Sequence, residues 1–323
     1  MRTISIGKYH RLKKCSSPAH SLSVLAIDHR TSLLKAIGKH RPGKIGVAEL
    51  AEFKLDIIEY IGNAADAILL DPEFGAPAYI SAGVPEKNKG LVLSVEKSGY
   101  SGNPTLREND LLSSWNIHKT IRLAADAVKL LVYYHPAAQN KAVTEALIAQ
   151  VAQECETHEI PFFLEVLTYS LDPKFDKIPG DERRKVVVET ARQLSGLGAD
   201  VLKLEFPADI SAFPDHQYWA DTCAALTEAS LCPWILLSAS VDFETYYDQV
   251  SIACQKGSSG IAVGRAVWKE AVPMESRSQR IEFLSQTAHT RMEELNLLCQ
   301  AAARPWTDYY APPEISEQWH SEY

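Results

Sequence analysis

The chain has 323 residues, 46% hydrophobic and 23% charged, so it can build a packed core and is not disordered, collagen-like or of low complexity. Its 33 Lys+Arg against 41 Asp+Glu leave a net charge of −8, which argues against a protein that coats nucleic acid. No apolar stretch is long enough to cross a bilayer, and six scattered cysteines without a Cys-x-x-Cys pair argue against a disulfide scaffold or a thiolate cage.

The first 20 residues are basic (Arg2, Lys8, Arg11, Lys13, Lys14) and lack an apolar core, so they are not a secretory signal. An acid-free basic start also fits an organelle transit peptide, but a reducing cytoplasm is the expected compartment. Beyond it, short apolar runs recur at 22–28 (LSVLAID), 67–71 (AILLD), 91–96 (LVLSVE), 127–134 (AVKLLVYY), 162–168 (FFLEVLT), 200–206 (DVLKLEF), 234–239 (WILLSA) and 260–264 (GIAVG). Each has the length and composition of a buried parallel strand. Amphipathic segments at 47–61, 115–124, 141–158, 181–197 and 245–255 read as helices, and a further helix is expected at 280–299. Strands alternating with helices predict an α/β chain folded as one (β/α)8 TIM barrel domain over 1–323, with an N-terminal segment at 1–20 and a C-terminal helix and tail at 275–323. A doubly wound sheet is the competing architecture.

Charges inside apolar strands are the informative exceptions. Period-two alternation groups Lys129 with Leu131 and Tyr133, Glu165 with Phe163 and Leu167, and Lys203 with Val201 and Glu205. Neighbouring strands would bring Lys129, Glu165 and Lys203 into one cluster. A self-satisfied ion-pair network is the structural reading. The functional reading is that two close ammonium groups repel in a low dielectric, so at least one lysine pKa falls and yields an amine nucleophile for a carbonyl.

A second set of polar residues sits where the strands end: Asp28-His29-Arg30, Asp71-Pro72-Glu73, Glu96-Lys97-Ser98-Gly99-Tyr100, Ser238-Ala239-Ser240 and Gly264-Arg265. Loops after strands seven and eight of such barrels often hold a phosphate, a task that suits Ser238, Gly264 and Arg265; an ordinary turn with a surface arginine is the alternative. The ten histidines show no metal-ligand spacing, and no Rossmann or Walker A glycine loop is present, so neither metal nor cofactor is expected.

These residues carry a family resemblance. From LAIDHRTSL through ILLDPEFG, VEKSGY, ADAVKLLVYY, PFFLEVLTY, ADVLKLEFP and LSASV to GRAVW and RPWT, the chain resembles the class I tagatose-1,6-bisphosphate aldolases and their relatives the sulfofructosephosphate aldolases. The basic start, GKYHRLKK, is similar to that family's N-terminal segment, which argues against a cleaved transit peptide. The resemblance implies a TIM-barrel lyase splitting a ketose 1,6-bisphosphate, D-tagatose 1,6-bisphosphate, into dihydroxyacetone phosphate and glyceraldehyde 3-phosphate. It places the Schiff-base lysine on Lys203, the acid/base glutamate on Glu165 and the second lysine on Lys129. It also places substrate contacts on Asp28, Arg265 and the Ser238–Ala239 backbone. Lys129 is expected to keep Lys203 partly deprotonated, while His29 and Arg30 join the substrate contacts as neighbouring cations.

The chain departs from the tagatose pattern at His29, where the family has Gln, and at Ser240, where it has Gly. The stretch between strands five and six is also shorter. A sulfofructosephosphate aldolase is therefore the second reading, and a non-catalytic sugar-phosphate sensor the reading from another class. A sugar phosphate is the expected partner, with no nucleic acid or membrane, and a homo-oligomer is expected.

Overall fold

Apolar runs of four to eight residues that must bury both faces have one stable solution, a parallel sheet covered by helices. The computed structural model describes residues 1–40, 46–83 and 89–322 and shows that solution closed on itself. The barrel strands are β1 (Leu22–Ala26), β2 (Ala67–Leu70), β3 (Gly90–Ser94), β4 (Ala127–Tyr134), β5 (Phe162–Thr168), β6 (Val201–Leu204), β7 (Trp234–Leu237) and β8 (Gly260–Val263). They pair in chain order, and β8 closes on β1 with Gly260 opposite Leu22. Gly260 lies at φ +140°, and any side chain there would run into the Leu22 carbonyl, so the seam requires glycine.

Helices return the chain between strands, with Val47–Ile61, Lys141–Thr157 and Gly180–Leu194 close to the bounds read from the sequence. Asp215 and Asp242 start His216–Ala229 and Phe243–Gln255 by accepting backbone N–H groups of their first turns. The helix expected at 280–299 begins earlier and is interrupted: Arg277–Phe283 and His289–Ala302 flank a π segment, Leu284–Ala288. An antiparallel hairpin, Ser101–Asn103 with Leu106–Glu108, follows β3 and has no counterpart in the apolar pattern.

Several strands end sooner than their apolar runs, because the polar residues at their ends leave the ladder for other partners. Asp71 turns into the loop before the helix Gly75–Ala82, accepting from the N–H groups of Glu73 (3.1 Å) and Phe74 (2.7 Å). Its other oxygen is bonded to Lys54, and both side chains are fully buried. Asp71 is thus a structural residue behind the barrel mouth, and its place among the strand-end residues in the sequence gives it no share of the cavity.

The basic start is used in packing at the base of the barrel. Helix Ile6–Lys14 lies there, with buried Lys8 bonded to Asp200 at 2.8 Å and Arg11 donating to the Ala125 carbonyl at 2.7 Å. Arg2–Thr3 pairs with Tyr310–Ala311, which brings the first strand and the segment after the last long helix together on this side. All six cysteines are buried free thiols. Among the described residues, no helix is long and apolar enough to cross a membrane.

Candidate active site

The cavity opens at the C-terminal ends of the strands and has a volume of about 260 Å³. Period-two alternation decides what lines it. Lys129, Leu131 and Tyr133 of β4 face inward, while Val128, Leu130 and Val132 are buried on the other side. Glu165 of β5 and Lys203 of β6 are register partners and complete the floor. Glu165 Oε2 accepts from Lys203 Nζ at 2.8 Å and lies 2.9 Å from Lys129 Nζ. Lys129 Nζ also donates to Asp28 at 2.6 Å and to Glu96 at 2.8 Å. The three residues expected in one cluster are together, and Asp28 joins them.

The two lysines are not equivalent. Burial alone would lower the Lys129 pKa, but Asp28, Glu165 and Glu96 outweigh it and hold the ammonium well above its ordinary value. The expected fall of a lysine pKa therefore does not occur at Lys129, because three carboxylates rather than one surround it. Lys203 has one carboxylate partner, Glu165, and faces the cavity. Burial would likewise raise the Asp28 and Glu165 carboxyls, yet Lys129 and Lys203 keep both below their ordinary values. Glu165 is thus held as a carboxylate able to receive a proton.

The rim residues divide by what their charges already do. Arg30 donates to Glu73 at 2.7 Å and to the Glu96 carbonyl at 2.7 Å, so its guanidinium is engaged by protein groups although it borders the cavity. His29 packs edge-on against Trp268 at 5.4 Å, and burial drives its pKa down to about 3. It is therefore neutral, and the basic rim expected from the sequence shrinks accordingly. Arg265 stands at the end of β8 in the cavity lining, with no ion-pair partner among the described residues. Gly264 lets β8 approach β1, since a Cβ there would lie 2.9 Å from the Ala26 carbonyl and 3.1 Å from the His29 ring. Ser238 and Ala239 line the cavity beside them, and Ala239 (φ 43°) and Ser240 (φ 65°) both take the left-handed conformation. Ser240 holds it at a cost that glycine would avoid.

Glu96, Tyr133 and Lys97 line the cavity and were not singled out as site residues by sequence reasoning. Glu96 lies among the strand-end residues, but its grip on Lys129 depends on the chain turning after Ser94. Tyr133 shares the Lys129 face and is held in place by Asn109, which bonds both of its backbone groups (2.7 and 3.0 Å). Lys97 borders the cavity at the end of β3. Glu205, on the Lys203 face in sequence, instead accepts from Thr168 at 2.8 Å outside the cavity lining.

The neutral His29 has a measurable consequence. Its folded pKa of about 3 lies below the ordinary 6.5, so the unfolded chain takes up the proton first as pH falls. The His29 contribution is intact above pH 6.5 and is lost as pH drops toward 3, by about 1.4 kcal/mol per unit at most. Urea unfolding at pH 7 and pH 4.5 should show His29→Gln losing less stability over that interval than the parent. Equal losses would mean that the ring is not held neutral.

The fold is that of a barrel aldolase. Residues 22–270 match the description "DeoC/LacD family aldolase". Tagatose 1,6-diphosphate aldolase 2 of Streptococcus mutans is 32% identical, with 94% of this chain and 98% of that protein covered. Tagatose 1,6-diphosphate aldolase of Lactococcus lactis is also 32% identical, covering 93% of this chain and 98% of its own length. The chain belongs to the DeoC/LacD aldolase family. Its fold is similar to that of fructose-bisphosphate aldolase from Plasmodium falciparum, with a TM-score of 0.70 at 12% identity over 94% of this chain and 98% of that one.

Proposed function

We propose that this chain is a class I aldolase that cleaves a ketose 1,6-bisphosphate, with D-tagatose 1,6-bisphosphate as substrate, to dihydroxyacetone phosphate and glyceraldehyde 3-phosphate. The observation that carries the proposal is Lys203: an inward-facing amine with one carboxylate partner, beside a second lysine that three carboxylates hold as ammonium. The relatives' names supply the substrate. Buried free thiols fit a reducing cytoplasm as its compartment.

The mechanism follows from these positions. Glu165 receives a proton from Lys203, whose freed lone pair attacks the C2 ketone. Loss of water from the carbinolamine leaves a protonated imine. Glu165, having passed its proton to the departing water, takes the C4 hydroxyl proton. The C3–C4 electron pair then moves into the iminium as the aldehyde forms, leaving an enamine. Returning that proton to C3 and hydrolysing the imine releases dihydroxyacetone phosphate and regenerates Lys203. Lys129 stays charged throughout and anchors Asp28, Glu96 and Glu165. Arg265, Gly264 and the Ser238–Ala239 turn receive the C1 phosphate, with Asp28 and His29 beside the substrate.

The test is a cleavage assay that offers tagatose 1,6-bisphosphate and sulfofructose phosphate to the same preparation, with and without a strong chelator. Preferential release of glyceraldehyde 3-phosphate, undiminished by the chelator, is expected. A large preference for the sulfonate would replace the substrate, and no cleavage of either would leave a sugar-phosphate sensor.

A further inference from the structure

A bisphosphate presents two anions on opposite sides of its carbonyl, and the cavity offers few charges that are not already matched. Asp28, Glu96 and Glu165 are bound to Lys129, Glu165 also to Lys203, and Arg30 to Glu73 and Glu96. Two lining cations remain without a carboxylate within hydrogen-bond length, and they stand apart. Arg265 follows β8, next to β7 and two strands from Lys203 on β6, and so serves the anion nearest the carbonyl. Lys97 follows β3, three strands from β8 around the barrel. Its nearest carboxylate oxygen, on Asp110, is 3.9 Å away, beyond hydrogen-bond length, and its side chain is 64% exposed.

Between the strand of Lys203 and the strand before Lys97, the cavity is lined by Leu167 of β5 and by Leu131 and Tyr133 of β4. A substrate whose C2 meets Lys203 and whose C1 phosphate meets Arg265 must extend C3 to C6 along that wall. We infer that Lys97 is the receptor for the second anionic group, the one carried by the aldehyde half of the substrate. This assignment rests on the aldolase reading above. Lys97 makes the site prefer a doubly charged ketose over one with a bare terminal hydroxyl. The other nearby cation, Arg107, has its guanidinium over the rings of Tyr100 (4.5 Å), Tyr169 (4.9 Å) and Tyr133 (5.1 Å) and does not line the cavity. It braces the wall by holding Tyr133.

The test compares kcat/KM for a ketose 1,6-bisphosphate with that for the matching ketose 1-phosphate. Lys97→Gln should reduce the bisphosphate-to-monophosphate ratio roughly tenfold, chiefly through KM for the bisphosphate, and Lys97→Arg should restore most of it. An unchanged ratio overturns the assignment, as does a ratio moved by Arg107→Gln and not by Lys97→Gln. Borohydride reduction of the parent protein with dihydroxyacetone phosphate separates the two levels. No adduct overturns the aldolase reading and this assignment together, whereas a normal adduct with an unchanged ratio overturns the assignment alone.

Discussion

Lys203→Met is expected to reduce turnover by at least about 10,000-fold, equivalent to roughly 5.5 kcal/mol of barrier, while the protein remains folded. The loss is chemical, because methionine fills a similar volume but has no lone pair that can form an imine. The fold should tolerate the change because Glu165 keeps Lys129 at 2.9 Å and is not left as an unpaired buried charge. Removing one buried ammonium also removes its desolvation cost, so stability should stay within about 1 kcal/mol of the parent. Steady-state cleavage and urea unfolding on the same preparation check both halves. Residual activity within tenfold of the parent would exclude imine chemistry at this residue.

Lys129→Met should act on stability as well as on turnover. Its ammonium lies within 3 Å of Asp28, Glu96 and Glu165, so the substitution leaves three buried carboxylates, of which Glu165 keeps Lys203 and Glu96 keeps Arg30 at 3.4 Å while Asp28 loses its ion pair with lysine. A loss of about 3–5 kcal/mol is expected, the usual cost of removing one side of a buried ionic cluster. The loss should depend on pH in a defined direction. Without Lys129, burial raises the carboxyl pKa values above those of the unfolded chain, so the folded form binds protons more readily. The variant should therefore be closer to the parent at pH 5 than at pH 8. Adding Glu96→Gln should recover part of the deficit, because it removes one of the charges that Lys129 matched. A pH-independent loss below about 1 kcal/mol would mean that Lys129 is not the keystone of this network.

The barrel was legible because its strands are short, buried on both faces and almost purely aliphatic, and because charges inside such strands are costly enough to be informative. Lys129, Glu165 and Lys203 could be grouped from alternation alone, and β5–β6 register then sets Glu165 opposite Lys203. What alternation cannot show is where the chain turns once a strand ends. Asp71 and Glu96 occupy similar places in their runs, yet one turns outward to Lys54 and the loop before a helix while the other turns inward to Lys129. Charge state was equally hidden. His29 and Arg30 read as cations in the sequence, but burial against Trp268 neutralises the first and Glu73 engages the second. The hairpin at 101–108 escaped because polar residues dominate it and Arg107 holds it to the rings of Tyr133 and Tyr169, a contact between distant segments. The net charge of −8 acquires a narrower meaning: the lysines of the floor are matched by carboxylates, and among the described residues Arg265 and Lys97 are the lining cations without a carboxylate within hydrogen-bond length.

The most direct measurement is borohydride reduction in the presence of dihydroxyacetone phosphate, followed by digestion and mass mapping of the modified peptide. One reduced adduct per chain, on the peptide that contains Lys203, is the predicted result. An adduct on Lys129 or another lysine with Lys203 unmodified, or no adduct at all, would contradict the account.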